Sequence, residues 1–177
     1  MPRKTNPAAL MPPICTPSPS LLQCTIANPS QPHIPSPPAL VIHGLEATCK
    51  TTIVKGVLAS SSLRHAIINC RECITGRHLL EKTTSACLDA FEAAAGTQID
   101  RSYYTRTENL SALTMHLQRL LSSRHDKVEK FILVFDGIDD QREAPHTLLP
   151  ALARLGEIVG SPSLSCHTAL HAVVSTS

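Results

Sequence analysis

With 177 residues the chain is long enough for one domain and a tail, and a net charge of +2 supplies no broad basic surface that would by itself argue for nucleic acid. Only 3% of residues are aromatic and none is Trp, so a core must be built from Leu, Ile, Val and Ala, which favours helices on a parallel sheet over an aromatic-rich β-sandwich. No apolar run reaches the ~18 residues that cross a bilayer, no secretory h-region follows the first residues, and seven scattered cysteines suit a reducing compartment.

The first 38 residues hold 11 of the 14 prolines. Proline fixes φ and removes a backbone donor, so neither a helix nor a central strand is expected there. Residues 1–38 read as a disordered Pro-rich leader, and residues 39–177 as the folded part.

From Ala39 the texture changes to short apolar runs alternating with amphipathic stretches. Ala39–His43 suits a buried parallel strand, Lys50–Leu58 a helix, and His65–Asn69 a second strand. Thr75–Ala95 carries Leu79, Leu80, Cys87, Leu88 and Phe91 at helical spacing. Leu110, Leu113, Leu117, Leu120 and Leu121 predict another helix, with Asn109 as its N-cap. Phe131–Phe135 is the clearest strand, Leu148–Val159 predicts one more helix, and Ala169–Val174 a last strand. Strands alternating with helices imply βαβ units and an α/β fold, its sheet covered on both faces. A complete domain of this kind would carry at least one further strand, so the expectation is a partial domain, incomplete at its C-terminus.

Gly44-Leu45-Glu46-Ala47-Thr48-Cys49-Lys50-Thr51-Thr52 follows the first strand and opens the first helix. A phosphate-binding loop asks for Gly, four residues, Gly, Lys, then Ser or Thr. Successive N–H groups and the helix N-terminus cradle the phosphates, Lys50 brings a point charge, and Thr51 offers a hydroxyl to Mg²⁺. Cys49 stands where the second glycine belongs, and its Cβ carries a steric cost wherever φ must be positive.

Asp136 ends the Phe131–Phe135 strand, the placement of the Walker-B aspartate that partners the loop threonine at Mg²⁺. ATP-hydrolysing enzymes of the AAA+ type carry a Glu next, to polarise the attacking water. Here it is Gly137, so no catalytic residue is expected and nucleotide should be held rather than hydrolysed. The alternatives are an active ATPase using Asp139 or Asp140 as a displaced base, or a nucleotide-free fragment acting through protein contacts.

The stretches Val41–Thr48, Asn69-Cys70-Arg71-Glu72-Cys73, Ser102-Tyr103-Tyr104, Phe131–Asp140 and Leu148–Glu157 resemble the AAA+ domain of the origin recognition complex subunit 5 family, especially its fungal form. The resemblance covers about two-thirds of the chain. It implies a P-loop NTPase three-layer sandwich with a parallel sheet in the order 5-1-4-3-2, in which the fourth strand lies between the loop strand and the Asp136 strand. It also implies ATP and Mg²⁺ as cofactors, other subunits of the complex as partners, origin DNA met through the complex, no membrane, and a nuclear location. Ser175 or Thr176 takes the place of a polar sensor at the fourth strand's tip. The family's helical lid and winged-helix region have no counterpart in this sequence.

Cys70 and Cys73 form a Cys-x-x-Cys, but no second ligand pair lies at a zinc spacing, so buried cysteines beside a strand are the expectation. Arg101, Arg106, Arg119 and Arg124 read as a solvated face.

Overall fold

A computed structural model describes residues 39–45, 48–61, 63–96, 98–104, 106–122, 130–140, 147–159 and 169–176. The Pro-rich leader and Arg124 lie outside the described residues.

The Leu/Ile/Val runs form four strands: β1 (Ala39–His43), β2 (Arg64–Asn69), β3 (Lys130–Asp136) and β4 (Ala169–Thr176). All pairings are parallel, in the order β1-β4-β3-β2. The strand latest in sequence therefore sits between the first and the third, as the resemblance implied. Residues Phe131 to Val134 of β3 are at most 2% exposed. Burial on both faces is what a continuous apolar run in a parallel sheet requires.

Alternate β3 side chains feed two cores. Phe131, Leu133 and Phe135 pack with Ala66 and Ile68 of β2 and with helices on one face. Ile132 and Val134 point the other way, onto Val54 and Leu58 of α1 (Lys50–Ser60). The first face carries α2 (Gly76–Ala95), α3 (Leu110–Ser122), α4 (Leu148–Ala153) and α5 (Leu155–Val159). The result is the expected helix–sheet–helix sandwich. Phe91 of α2 stacks on Phe131 with ring centroids 4.8 Å apart, an arrangement that adds to simple area burial.

Caps fix the helix starts. Thr75 Oγ1 accepts the His78 N–H at 3.1 Å, and Asn109 Oδ1 accepts the Ala112 N–H at 2.8 Å, as its N-cap role predicts. Helix α2 stops at Gly96, whose φ of +62° is the left-handed ending that glycine adopts without a Cβ penalty.

One element differs from expectation. The single helix predicted over Leu148–Val159 is two short ones, broken at Arg154 (φ −88°, ψ −2°). There the Arg154 carbonyl accepts both the Glu157 N–H and the Ile158 N–H at 3.1 Å, so three- and four-residue spacing are mixed. Pro150 and Gly156 flank the break and lower its helix propensity.

Between α2 and α3 the connection is pinned by side chains. Arg101 pairs with Asp89 and Glu92 of α2 at 2.6 and 2.5 Å. Buried Thr107 shares a hydrogen bond with Thr84 at 2.9 Å and another with His116 Nδ1 at 3.3 Å.

Candidate nucleotide site

Parallel strands end together, so the residues that leave them meet on one rim. Asp136 is in register with Asn69 of β2 and Ser175 of β4, and Ser175 with Ile42 of β1. The loop that leaves β1 and the tip of β3 are thus carried by one rim, with β4 as the spacer between them. Ligands of open parallel sheets bind outside these strand ends.

The decisive contact is between the two predicted metal ligands. Thr51, in the first turn of α1, donates its hydroxyl to Asp136 Oδ2 at 2.7 Å across 85 positions of sequence. A hydroxyl and a carboxylate side by side are the hard oxygen donors that Mg²⁺ takes. The residues therefore fit the cation that a phosphate-binding loop implies.

Lys50 is turned onto its own loop. Its Nζ donates to the Gly44 carbonyl at 2.6 Å and the Leu45 carbonyl at 2.7 Å, with Thr48 Oγ1 at 3.5 Å. Thr48 in turn donates to the Leu45 carbonyl at 2.7 Å. The ammonium thus lies between the Gly44 and Leu45 carbonyls and the Thr48 hydroxyl. Leu45 is 80% exposed and takes no part in the core. Thr52 is exposed on α1. Glu46 and Ala47 lie outside the described residues.

Cys49 is the N-cap of α1, with φ 58° and ψ 21° and no side-chain capping bond. Among the described residues it is the non-glycine with positive φ. The backbone therefore keeps the left-handed turn that the second loop glycine would supply, and an L-residue bears the strain. A cysteine thiol also caps poorly compared with Ser, Thr, Asp or Asn.

Gly137 has φ +68° and is buried. Beyond it Ile138–Asp140 form a 3₁₀ turn, so Asp139 belongs to the turn that follows the strand and not to its tip. Missed from sequence is the side chain that lies over Gly137. A Cβ at position 137 would sit 3.1 Å from Arg71 Nε and 3.2 Å from its Cγ. Arg71 belongs to a 3₁₀ turn, Cys70–Glu72, directly after β2. The available signal was its position just past a strand paired in register with the Asp136 strand.

The neighbouring cysteines are structural. Cys70 is fully buried and Cys73 nearly so, with thiols toward the Ile68 and Asn69 carbonyls. Burial, then the charges of Cys73, Asp136 and Asp139, push the Cys70 thiol up to about 12, and burial also raises that of Cys73. A thiol held protonated is a poor nucleophile and a poor metal ligand. Among the described residues no cluster of three or more His, Cys, Asp or Glu gathers around a common point, and no helix is long and apolar enough to cross a membrane.

The family profile described as "AAA ATPase domain" matches residues 28–165, more than three-quarters of the chain. This chain belongs to the AAA ATPase domain family. The match begins ahead of β1, inside the Pro-rich segment, and ends before β4. Human origin recognition complex subunit 5 is 27% identical over 123 residues, which are 68% of this chain and 27% of that protein. The AAA ATPase domain described here thus spans about a quarter of that relative's length. A chain in the structure of Drosophila ORC bound to DNA superposes with a TM-score of 0.64 and 21% identity, over 89% of this chain and 36% of that one. Cdc6p from Pyrobaculum aerophilum gives a TM-score of 0.43 at 20% identity, over 79% of this chain and 33% of that one. The superposition on the Drosophila chain agrees with the α/β AAA+ fold, and the sequence likeness is to a human origin recognition complex subunit; neither organism is a fungus.

Proposed function

We propose that this chain is an ATP-binding subunit of a nuclear origin recognition complex, contributing to the start of DNA replication, and that it holds nucleotide without hydrolysing it. The observation that carries the nucleotide reading is the Thr51–Asp136 hydrogen bond, with the Lys50 ammonium beside Gly44 at the start of the loop. Gly44, Leu45, Glu46, Ala47, Thr48, Cys49, Lys50, Thr51 and Thr52 would contact the nucleotide, and Thr51 with Asp136 would hold Mg²⁺. The cation, when bound, would supply positive charge that offsets that of the phosphates. The protein's part is to orient those phosphates at the N-terminus of α1.

Two features support holding over hydrolysis. Gly137 brings no carboxylate beside Asp136, and Asp139 is displaced into the turn beyond. A general base must lie within hydrogen-bond reach of the water it activates. Membership in the complex, with its other subunits and origin DNA as partners, is supported by the identity to human subunit 5. The fungal character of the resemblance rests on the residues quoted from the sequence.

Equilibrium titration of the chain with a fluorescent ATP analogue, with and without Mg²⁺, tests the nucleotide reading. Saturable, Mg²⁺-dependent binding is expected; none at millimolar nucleotide would remove it. The self-contained loop, in which Lys50 is satisfied by the Gly44 and Leu45 carbonyls, favours a second reading as a nucleotide-free interaction module. Absence of binding together with co-purification with the other subunits would support that second reading.

A further inference from the structure

The rim beside Asp136 carries a cation where hydrolysing members of the AAA+ type carry a carboxylate. Three observations build this arrangement. The Cys70–Glu72 turn is fixed at its start: Asn69 Oδ1 accepts the Arg71 N–H at 3.3 Å, Asn69 Nδ2 donates to Glu72 Oε1 at 2.8 Å, and Cys70 is fully buried beneath. Asn69 pairs in register with Asp136, so the Cys70–Glu72 turn leaves β2 beside Gly137 and the Ile138–Asp140 turn that leave β3. Its side chain then runs across Gly137, with Nε, Cγ and Cδ 3.1, 3.2 and 3.5 Å from where a Cβ would stand.

Gly137 and Arg71 are therefore mutually dependent. At φ +68° an L-residue is strained, and any side chain there would also displace the arginine. The room a side chain at 137 would take is thus occupied by the stem and Nε of Arg71. A guanidinium stays protonated at every physiological pH and presents only donors, so it accepts no proton from water. The same group attracts phosphate oxygens, and more strongly the more charge they carry.

We infer that Arg71 is a specificity-determining residue of the nucleotide site: from across Gly137 its charge favours a nucleoside triphosphate over the diphosphate, while the space for a water-activating carboxylate is filled. This rests on the nucleotide reading proposed above and goes beyond it, because it assigns the preference between phosphate states to a residue outside the loop and the Asp136 strand.

The test uses the full chain in Mg²⁺, with fluorescent analogues of ATP and ADP titrated into the unaltered protein, Arg71→Met and Arg71→Lys. Arg71→Met keeps an aliphatic stem over Gly137 and removes the charge; Arg71→Lys keeps the charge. Arg71→Met is expected to weaken ATP by about tenfold and ADP by less than about twofold, with Arg71→Lys within about threefold of the unaltered chain for both. Thermal melts run beside the titrations are expected to coincide for all three. An ATP-to-ADP affinity ratio unchanged in Arg71→Met, or a lysine variant that behaves like the methionine one, overturns this inference and leaves nucleotide binding standing. An unaltered chain that binds neither nucleotide overturns the nucleotide reading itself, and this inference with it.

Discussion

The Thr51 hydroxyl donates to Asp136 Oδ2 at 2.7 Å, joining the first turn of α1 to the tip of β3. Each partner comes from a separate βαβ unit, so this one bond reports whether the two halves of the site are aligned.

Thr51→Val and Asp136→Asn should both weaken Mg²⁺-dependent nucleotide binding by about tenfold or more, since each removes a hard oxygen ligand or its charge. Binding without Mg²⁺ should change much less. Titrations with and without the cation measure the difference; equal losses in both conditions would mean that these residues do not meet the metal.

Cys49→Gly relieves an L-residue held at φ 58°. A gain of about 1 kcal/mol in stability is expected, offset in part by the greater freedom of glycine in the unfolded chain. The melting midpoint should rise by roughly 2–4 °C for each kcal/mol retained. Tighter ATP binding should accompany it, because removing the Cβ clears the backbone's approach to phosphate. A lower midpoint would show that the cysteine makes contacts worth more than its strain.

Gly96 and Gly137 form an internal comparison. Both have positive φ, but a Cβ at Gly96 meets nothing within 4 Å, whereas at Gly137 it meets Arg71. Gly96→Ala should cost about 1 kcal/mol from backbone strain alone, and Gly137→Ala about 1–3 kcal/mol more from overpacking. Denaturant melts of both variants, and of Gly137→Ala combined with Arg71→Ala, measure the separation. Equal costs for the two single variants would remove the contact with Arg71 from the account.

His116 ties α3 to Thr107 in the connection ahead of that helix and lies edge-on to Tyr104, with centroids 5.5 Å apart. Burial, and then the charge of Arg119, lower its pKa in the folded chain. A depressed folded pKa means that the unfolded chain binds the proton more readily. Its contribution to stability is therefore present above the ordinary histidine value near 6.5 and is lost as pH falls through the folded value. Melting midpoints should drop between pH 7.5 and 5.5, and drop less in His116→Asn. Identical pH profiles would assign the acid sensitivity elsewhere.

Periodicity made most of the fold legible. Alternation and apolar runs fix β1 to β3, and three- and four-residue spacing fixes α2 and α3 to within a residue or two at their ends. The central place of β4 was legible only through the resemblance to a family, because a short apolar run says nothing about which strands flank it. The phosphate loop and Asp136 were readable because local spacing encodes both of them. Arg71 was not, since its packing over Gly137 depends on strand register, a long-range property without a local pattern. The break at Arg154 was missed because the apolar spacing continues through it and only the mixed three- and four-residue hydrogen bonding at its carbonyl marks the change.

β4 has its own consequence for how the protein is made. A ribosome releases the chain from its N-terminus, so Lys50, Thr51 and Asp136 all emerge before the residues that wedge β1 and β3 apart. Until Ala169–Thr176 slides into that slot, β1 has no partner among the described strands. Joining β1 to β3 is therefore a long-range event that waits for Ala169–Thr176, the kind of non-local pairing that slows folding and leaves a strand edge open meanwhile. The common rim of β1 and β3 exists only once β4 is in place.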